Sequence, residues 1–153
     1  MKKPSRDDVS KPKVDEYAYK KDFYRDPAVA ADYDQHRFTT PRRQRRNVRK
    51  WKAIQSALDE AGEVHSVLDL PCGTGRFTGD LARLGLNVVG GDISLQMMAE
   101  AARSPLVEDP NIAGYVQADG EALPFRDRSL DCIVSIRFMF HVDPITILNR
   151  KDR

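Results

Sequence analysis

The sequence predicts an α/β fold built on a parallel sheet, with a helical extension in front of it. Three observations carry that reading. From residue 63 onward, short apolar, β-rich runs alternate with helical segments, the pattern of βαβ units. The run CIVSI is continuously apolar, as expected of a parallel strand buried on both faces. The stretch VLDLPCGTGRFTGDLARLG, residues 67–85, joins a strand to a helix through closely spaced glycines.

The elements follow in order. Residues 1–14 are polar, lysine-rich and hold two prolines, and read as a flexible basic tail. Residues 15–62 form the helical extension. Tyr17, Tyr19, Phe23, Tyr24, Ala30 and Tyr33, interrupted by Pro27, predict one or two short helices with aromatic contacts to the body. A long helix opens at Pro41 with Thr40 as N-cap; Val48, Trp51, Ile54 and Leu58 form its apolar stripe, and Gly62 ends it. Residues 63–153 are the sheet domain. Strands are expected over Val64–Leu70, Asn87–Gly91, Ile112–Gln117 and Leu130–Ile136, with helices over Gly75–Leu84 and Ser94–Arg103.

Composition narrows the function classes. The 153 residues are 41% hydrophobic and 31% charged, as in an ordinary globular domain. No stretch approaches the roughly 20 apolar residues of a membrane span, and the charged N-terminus has no apolar segment behind it that would make a secretory signal. Cys72 and Cys132 sit in apolar contexts, which suits reduced thiols and a cytoplasmic location. No metal-ligand spacing occurs. The net charge of +2 is unevenly spread: residues 1–65 hold 16 Lys/Arg against 11 Asp/Glu, and residues 66–153 hold 9 against 12. Eight of the cations lie between Arg37 and Lys52, with no acid among them.

In a βαβ unit, glycines after the first strand let the backbone approach a ligand at the following helix N-terminus. Here they are Gly73, Gly75 and Gly79, whereas a dinucleotide fingerprint wants glycine where Thr78 stands. Asp69 decides more. A carboxylate about 4 Å from a pyrophosphate would be repelled by about 4 kcal/mol at an effective dielectric of 20. A cationic ligand reverses that sign. S-adenosyl-L-methionine carries an ammonium and a sulfonium, no phosphate, and a ribose. Asp92, at the end of the second strand and 17 residues beyond Gly75, stands where an acid accepts from both ribose hydroxyls. It also competes with Ser94 as a cap for the next helix. Asp119 follows the third strand, placed either to accept from an adenine amino group, with Gly120 leaving room for the ring, or simply to make a turn.

From Val64 to about Asp143 the chain resembles class I S-adenosylmethionine-dependent methyltransferases, nearest to the ubiquinone/menaquinone-biosynthesis and general small-molecule groups. VLDLPCGTGRFT resembles the first motif, VVGGDISLQMM the ribose segment, and ADGEALPFRDRSLDCIVS the adenine segment with the fourth strand. DPAVAADYDQHRF resembles the helix that covers the cofactor in that family. The resemblance implies a partial Rossmann-like sheet of order 3-2-1-4 that binds S-adenosyl-L-methionine. It implies cofactor contacts from Asp69, Cys72, Gly73, Thr74, Gly75, Asp92, Ile93, Met97, Asp119 and Gly120, with Tyr33 as a lid. Cys72 reads as a packed thiol, and Met97 and Met98 compete as core residues. Arg137 and His141 follow the fourth strand; His141 is a weak candidate base, with a structural histidine as its competitor.

The implied reaction is methyl transfer to a small-molecule or lipid-like acceptor. The family sheet has seven strands and this chain supplies four, so the competing reading is a cofactor-binding module that needs a partner chain. A dinucleotide oxidoreductase domain is the second alternative. The fourth strand, left at an edge, predicts self-association or a partner chain. The basic segment 37–52 reads as a solvated face before an anionic substrate or membrane surface, and nucleic acid comes last.

Overall fold

A computed structural model describes residues 16–26, 28–30, 40–104 and 108–139. Within them the helical extension comprises α1 (Glu16–Arg25) and α2 (Pro41–Ala61). The sheet domain runs β1 (Ser66–Asp69), α3 (Arg76–Ala82), β2 (Asn87–Asp92), α4 (Leu95–Arg103), β3 (Ile112–Gln117) and β4 (Cys132–Val134). The four strands are parallel, as the alternation of strand and helix predicted, and ordered β3-β2-β1-β4, as the family resemblance implied.

Burial follows from that order. β1 lies between β2 and β4, and its Val67 and Leu68 are fully closed off from water. Val67, Val88, Leu81, Ala82, Val134 and Ile54 form one core under α2 and α3, with Trp51, Leu58 and Phe77 packed against it. Removing each large aliphatic side chain from water contributes about 1.5 to 3 kcal/mol. The carboxylate of Asp131 accepts from the backbone N–H groups of His65 and Ser66 and from the Ser66 hydroxyl. This clamp sets the start of β4 beside the start of β1.

Several expectations change. The strand expected over Leu130–Ile136 is regular only over three residues, and Ile133 is 50% exposed because β4 is an edge of the sheet among the described residues. The apolar stripe of α2 is narrower than the spacing suggested. Val48 lies some 60° around the helix from Trp51 and is 56% exposed. Thr40 does occupy the N-cap position and Pro41 the first turn, but the Thr40 side chain makes no capping hydrogen bond. α1 packs against α4, with Tyr24 half-buried, while Tyr19 and Phe23 stack on each other at 6.3 Å and stay partly exposed. Gly62 ends α2 at a φ of 83°, as expected. Pro27, Tyr33 and His141 lie outside the described residues.

Candidate functional site

Because all four strands are parallel, Asp69, Asp92 and Asp119 reach the same end of the sheet. Asp69 is the last residue of β1 and Asp92 the last of β2, while Asp119 stands two residues beyond β3. The loop between β1 and α3 crosses this end. Its glycines answer a backbone requirement: Gly73 has a φ of 56° and Gly75 one of 78°, a region that L side chains enter at a cost. Gly75 then caps α3, with the Gly79 N–H donating to its carbonyl.

The loop is tied to β2 at two points. The Cys72 N–H donates to the Gly91 carbonyl at 2.8 Å, and the Gly73 N–H donates to Asp92 Oδ2 at 2.9 Å. Asp92 Oδ1 accepts from the Ser94 N–H, also at 2.9 Å. One buried carboxylate thus joins the glycine loop to the start of α4. Of the two competing caps, Ser94 is the N-cap of α4, its Oγ accepting from the Met97 N–H.

Asp69 is 2% exposed, and its Oδ2 accepts from Thr78 Oγ1 at 2.7 Å. Burial pushes its pKa up to about 7, against the pull of the Thr78 hydrogen bond and with a further push from the nearby Asp92 carboxylate. Burial raises Asp92 as well, against the pull of the Ser94, Gly73 and Ile93 backbone N–H groups. Two buried acids close together, with no described cation bonded to either, form an electronegative floor beneath the glycine loop. Burial and both carboxylates also push the Cys72 thiol up, which suits the packed, unreactive thiol expected there.

The remaining expected contacts fall as follows. Thr74 is buried within the loop, and Ile93 is half-buried with its carbonyl accepting from Gln117 Nε2. Met97 is 2% exposed, an interior side chain beside Met98. Asp119 Oδ1 accepts from the Glu121 N–H, so it shapes the turn after β3. The space over Gly120 is occupied: a Cβ there would overlap the ring of Phe138. Arg137, beside it, is exposed with a φ of 65°.

Three residues were missed by sequence reasoning. Thr78 appeared only as an absent glycine. Phe138 lies just beyond the fourth strand and covers Gly120. Tyr115, on β3, lays its ring over Gly90 beside Cys72, where a Cβ on Gly90 would collide with it. Its hydroxyl is buried without a hydrogen-bond partner, and desolvation pushes its pKa up to about 12. The Gly90-Gly91 pair within a strand was the one available signal, since a strand glycine marks close approach by another group.

A family model described as a methyltransferase domain matches residues 68–153, more than half of the chain. The chain belongs to the methyltransferase-domain family. Among the curated relatives of this chain, the ubiquinone/menaquinone biosynthesis C-methyltransferase UbiE of Pasteurella multocida is 37% identical over 92 residues, covering 56% of this chain and 34% of that protein. The demethylmenaquinone methyltransferase of Beutenbergia cavernae is 37% identical over 98 residues, covering 63% and 38%. The chain therefore spans little more than a third of the length of these relatives. Among solved structures, the magnesium protoporphyrin IX methyltransferase of Synechocystis PCC 6803 with bound SAM matches with a TM-score of 0.59 at 18% identity, covering 88% of this chain and 67% of that one. The DhpI-SAM-HEP complex matches with a TM-score of 0.57 at 27% identity, covering 92% and 58%. The first of these supports the fold alone. Both agree with a Rossmann-like methyltransferase fold for this chain.

Proposed function

We propose that this chain binds S-adenosyl-L-methionine over the Asp69–Asp92 floor and is the cofactor half of an enzyme that methylates a small, lipid-like acceptor. The observation that carries the reading is Asp69: a buried carboxylate, fixed by Thr78, directly beneath a glycine loop. A pyrophosphate would meet repulsion there, whereas a cationic cofactor neutralises the acid. The same observation weakens the dinucleotide alternative, because the position that fingerprint reserves for glycine is filled by Thr78, the residue that holds Asp69.

When bound, the cofactor supplies an electrophilic methyl group on a sulfonium. The chain's own residues hold and orient. Gly73 and Gly75 bring the backbone close, and Asp69 ionises to meet positive charge. Asp92 keeps the loop in register while its remaining lone pairs face the ribose position. Asp119 lies on the adenine side, where Phe138 must yield its place over Gly120 or become one wall of the pocket. Alignment of methyl and nucleophile in a closed site accounts for most of such a rate. A general base is not required by this arrangement, and His141 remains a candidate only by its position in the sequence.

The names of the curated relatives support a quinone-type ring as acceptor. The test is transfer of labelled methyl from S-adenosyl-L-methionine to a demethylated naphthoquinol, beside a panel of other small acceptors. Label in the quinol supports the reading in full. Cofactor binding without transfer to any acceptor would favour the module that needs a complementing chain.

A further inference from the structure

Helix α2 is charged against its own dipole. Its first turn holds no acid and its last turn no base, the reverse of what stabilises a helix. Arg42, Arg45, Arg46, Arg49 and Lys52 recur at helical spacing and fall within about a third of the circumference, opposite the stripe of Trp51, Ile54 and Leu58 that faces the core. All five are exposed, and no ion pair among the described residues engages them. Helix stability does not account for this stripe.

Its position does. Trp51 stacks on Phe77, the second residue of α3, at 6.3 Å between ring centroids. Trp51 therefore lies level with the end of the sheet where the glycine loop sits. Residues on its N-terminal side run onward past that end, Arg42 being about 13 Å further along the axis. Residues 40–46 are exposed on every side of the helix, as a segment that projects from the body must be.

The geometry points to a docking surface for an anionic lipid bilayer, formed by Arg42, Arg45, Arg46, Arg49 and Lys52 beside the mouth of the cofactor site. The apolar face of α2 is already committed to the core, so the attachment is electrostatic and lies along the surface, with no insertion of the helix. Between Arg42 and Lys52 this face holds only cations, with no aromatic side chain to stack on a base and no amide to read one, which favours a bilayer over nucleic acid. The choice also rests on the lipid-like acceptor proposed above, since a surface docked here brings dissolved acceptors to the site.

The test is co-sedimentation of the full chain with vesicles of phosphatidylcholine alone or with 30 mol% phosphatidylglycerol, in 50 mM and 500 mM salt. The expected result is binding to the anionic vesicles only, lost at high salt. Each cation near such a surface changes partitioning by about fivefold. Neutralising four arginines together (R42Q, R45Q, R46Q, R49Q) should therefore lower it by about 600-fold, while the matching lysine set should retain it. Calorimetric titration of the glutamine variant with S-adenosyl-L-methionine should match the parent, which separates failure of this surface from failure of the cofactor reading. No binding to anionic vesicles at low salt, equal binding to neutral vesicles, or loss in the lysine set would overturn the proposal. Binding to a 20-base-pair duplex without binding to vesicles would also overturn it, assigning the stripe to nucleic acid.

Discussion

Thr78 Oγ1 donates a 2.7 Å hydrogen bond to Asp69 Oδ2, and both side chains are closed off from solvent. The hydroxyl holds one carboxylate oxygen and fixes its direction. Thr78→Val keeps the shape and removes the donor, so the charged form of Asp69 loses support. Affinity for S-adenosyl-L-methionine at pH 7 should fall by about 1 to 2 kcal/mol, and Thr78→Ser should restore most of it. Titration calorimetry on the three proteins checks this. Equal affinity in all three would mean that Asp69 does not meet the cofactor's charge.

The raised Asp69 pKa has a stability signature. An acid whose folded-state pKa is about 7 keeps a proton that the unfolded chain releases near pH 4. Between those values the native state binds more protons, so stability falls as pH rises, by at most about 1.4 kcal/mol per pH unit for one group. Above pH 7 the effect levels off. Asp92 is raised in the same direction and adds to the acid end of the slope. Urea unfolding of the ligand-free chain at pH 5, 6, 7 and 8 should show the decline, and Asp69→Asn should flatten it. An identical slope in the variant would place the titrating group elsewhere.

Asp92 serves the backbone as well as the ligand. Asp92→Ala leaves the Gly73 and Ser94 N–H groups without their acceptor, each costing about 1 to 3 kcal/mol if left unsatisfied. The variant should lose thermal stability even without cofactor, in addition to losing affinity. Asp92→Asn keeps an acceptor oxygen and should lose less of both. A variant that loses affinity with an unchanged melting temperature would assign Asp92 to the ribose alone.

The sheet was legible in the sequence because its signal is local. A change from helical to strand periodicity at Gly62 marks the domain, and the acids at strand ends follow from the parallel order. Asp69, Gly73, Gly75, Asp92 and Ser94 were readable for that reason. Thr78 was not, because its bond to Asp69 depends on how α3 turns back over β1. Phe138 over Gly120 and Tyr115 over Gly90 are contacts between separate segments, and no residue-type pattern announces them. The CIVSI run misled on burial because composition reports what a strand could pack against, and Ile133 lies at an edge.

The glycine loop makes a sharper test of backbone than of chemistry. Gly75 sits at a φ of 78° as the cap of α3, where an L side chain costs about 1 to 2 kcal/mol. Gly75→Ala should lower stability by that amount and weaken the cofactor further by displacing the loop. Thermal unfolding with and without S-adenosyl-L-methionine checks both parts. Full stability in the variant would mean that the loop does not hold this conformation.

Ile133 on β4 and Met139 beyond it are about half exposed. Among the described residues β4 is an apolar strand edge, which recruits another strand, so the 153-residue chain should self-associate at micromolar concentration. Ile133→Lys should reduce that association, as charged residues do on protected edges. Light scattering after size exclusion reads the mass directly. A monomeric parent chain across the concentration range would show that the edge is already covered.

Selection of a cationic cofactor depends on the charge of Asp69, which a pKa of about 7 leaves mostly protonated at pH 6 and mostly ionised at pH 8. Calorimetric titration with S-adenosyl-L-methionine and with NAD at pH 8, and with S-adenosyl-L-methionine at pH 6 in two buffers of different ionisation enthalpy, tests that proposal. Expected are binding of S-adenosyl-L-methionine at both pH values, release of close to one proton at pH 6 as Asp69 ionises, and no heat with NAD at pH 8. Heat with NAD and none with S-adenosyl-L-methionine would contradict it.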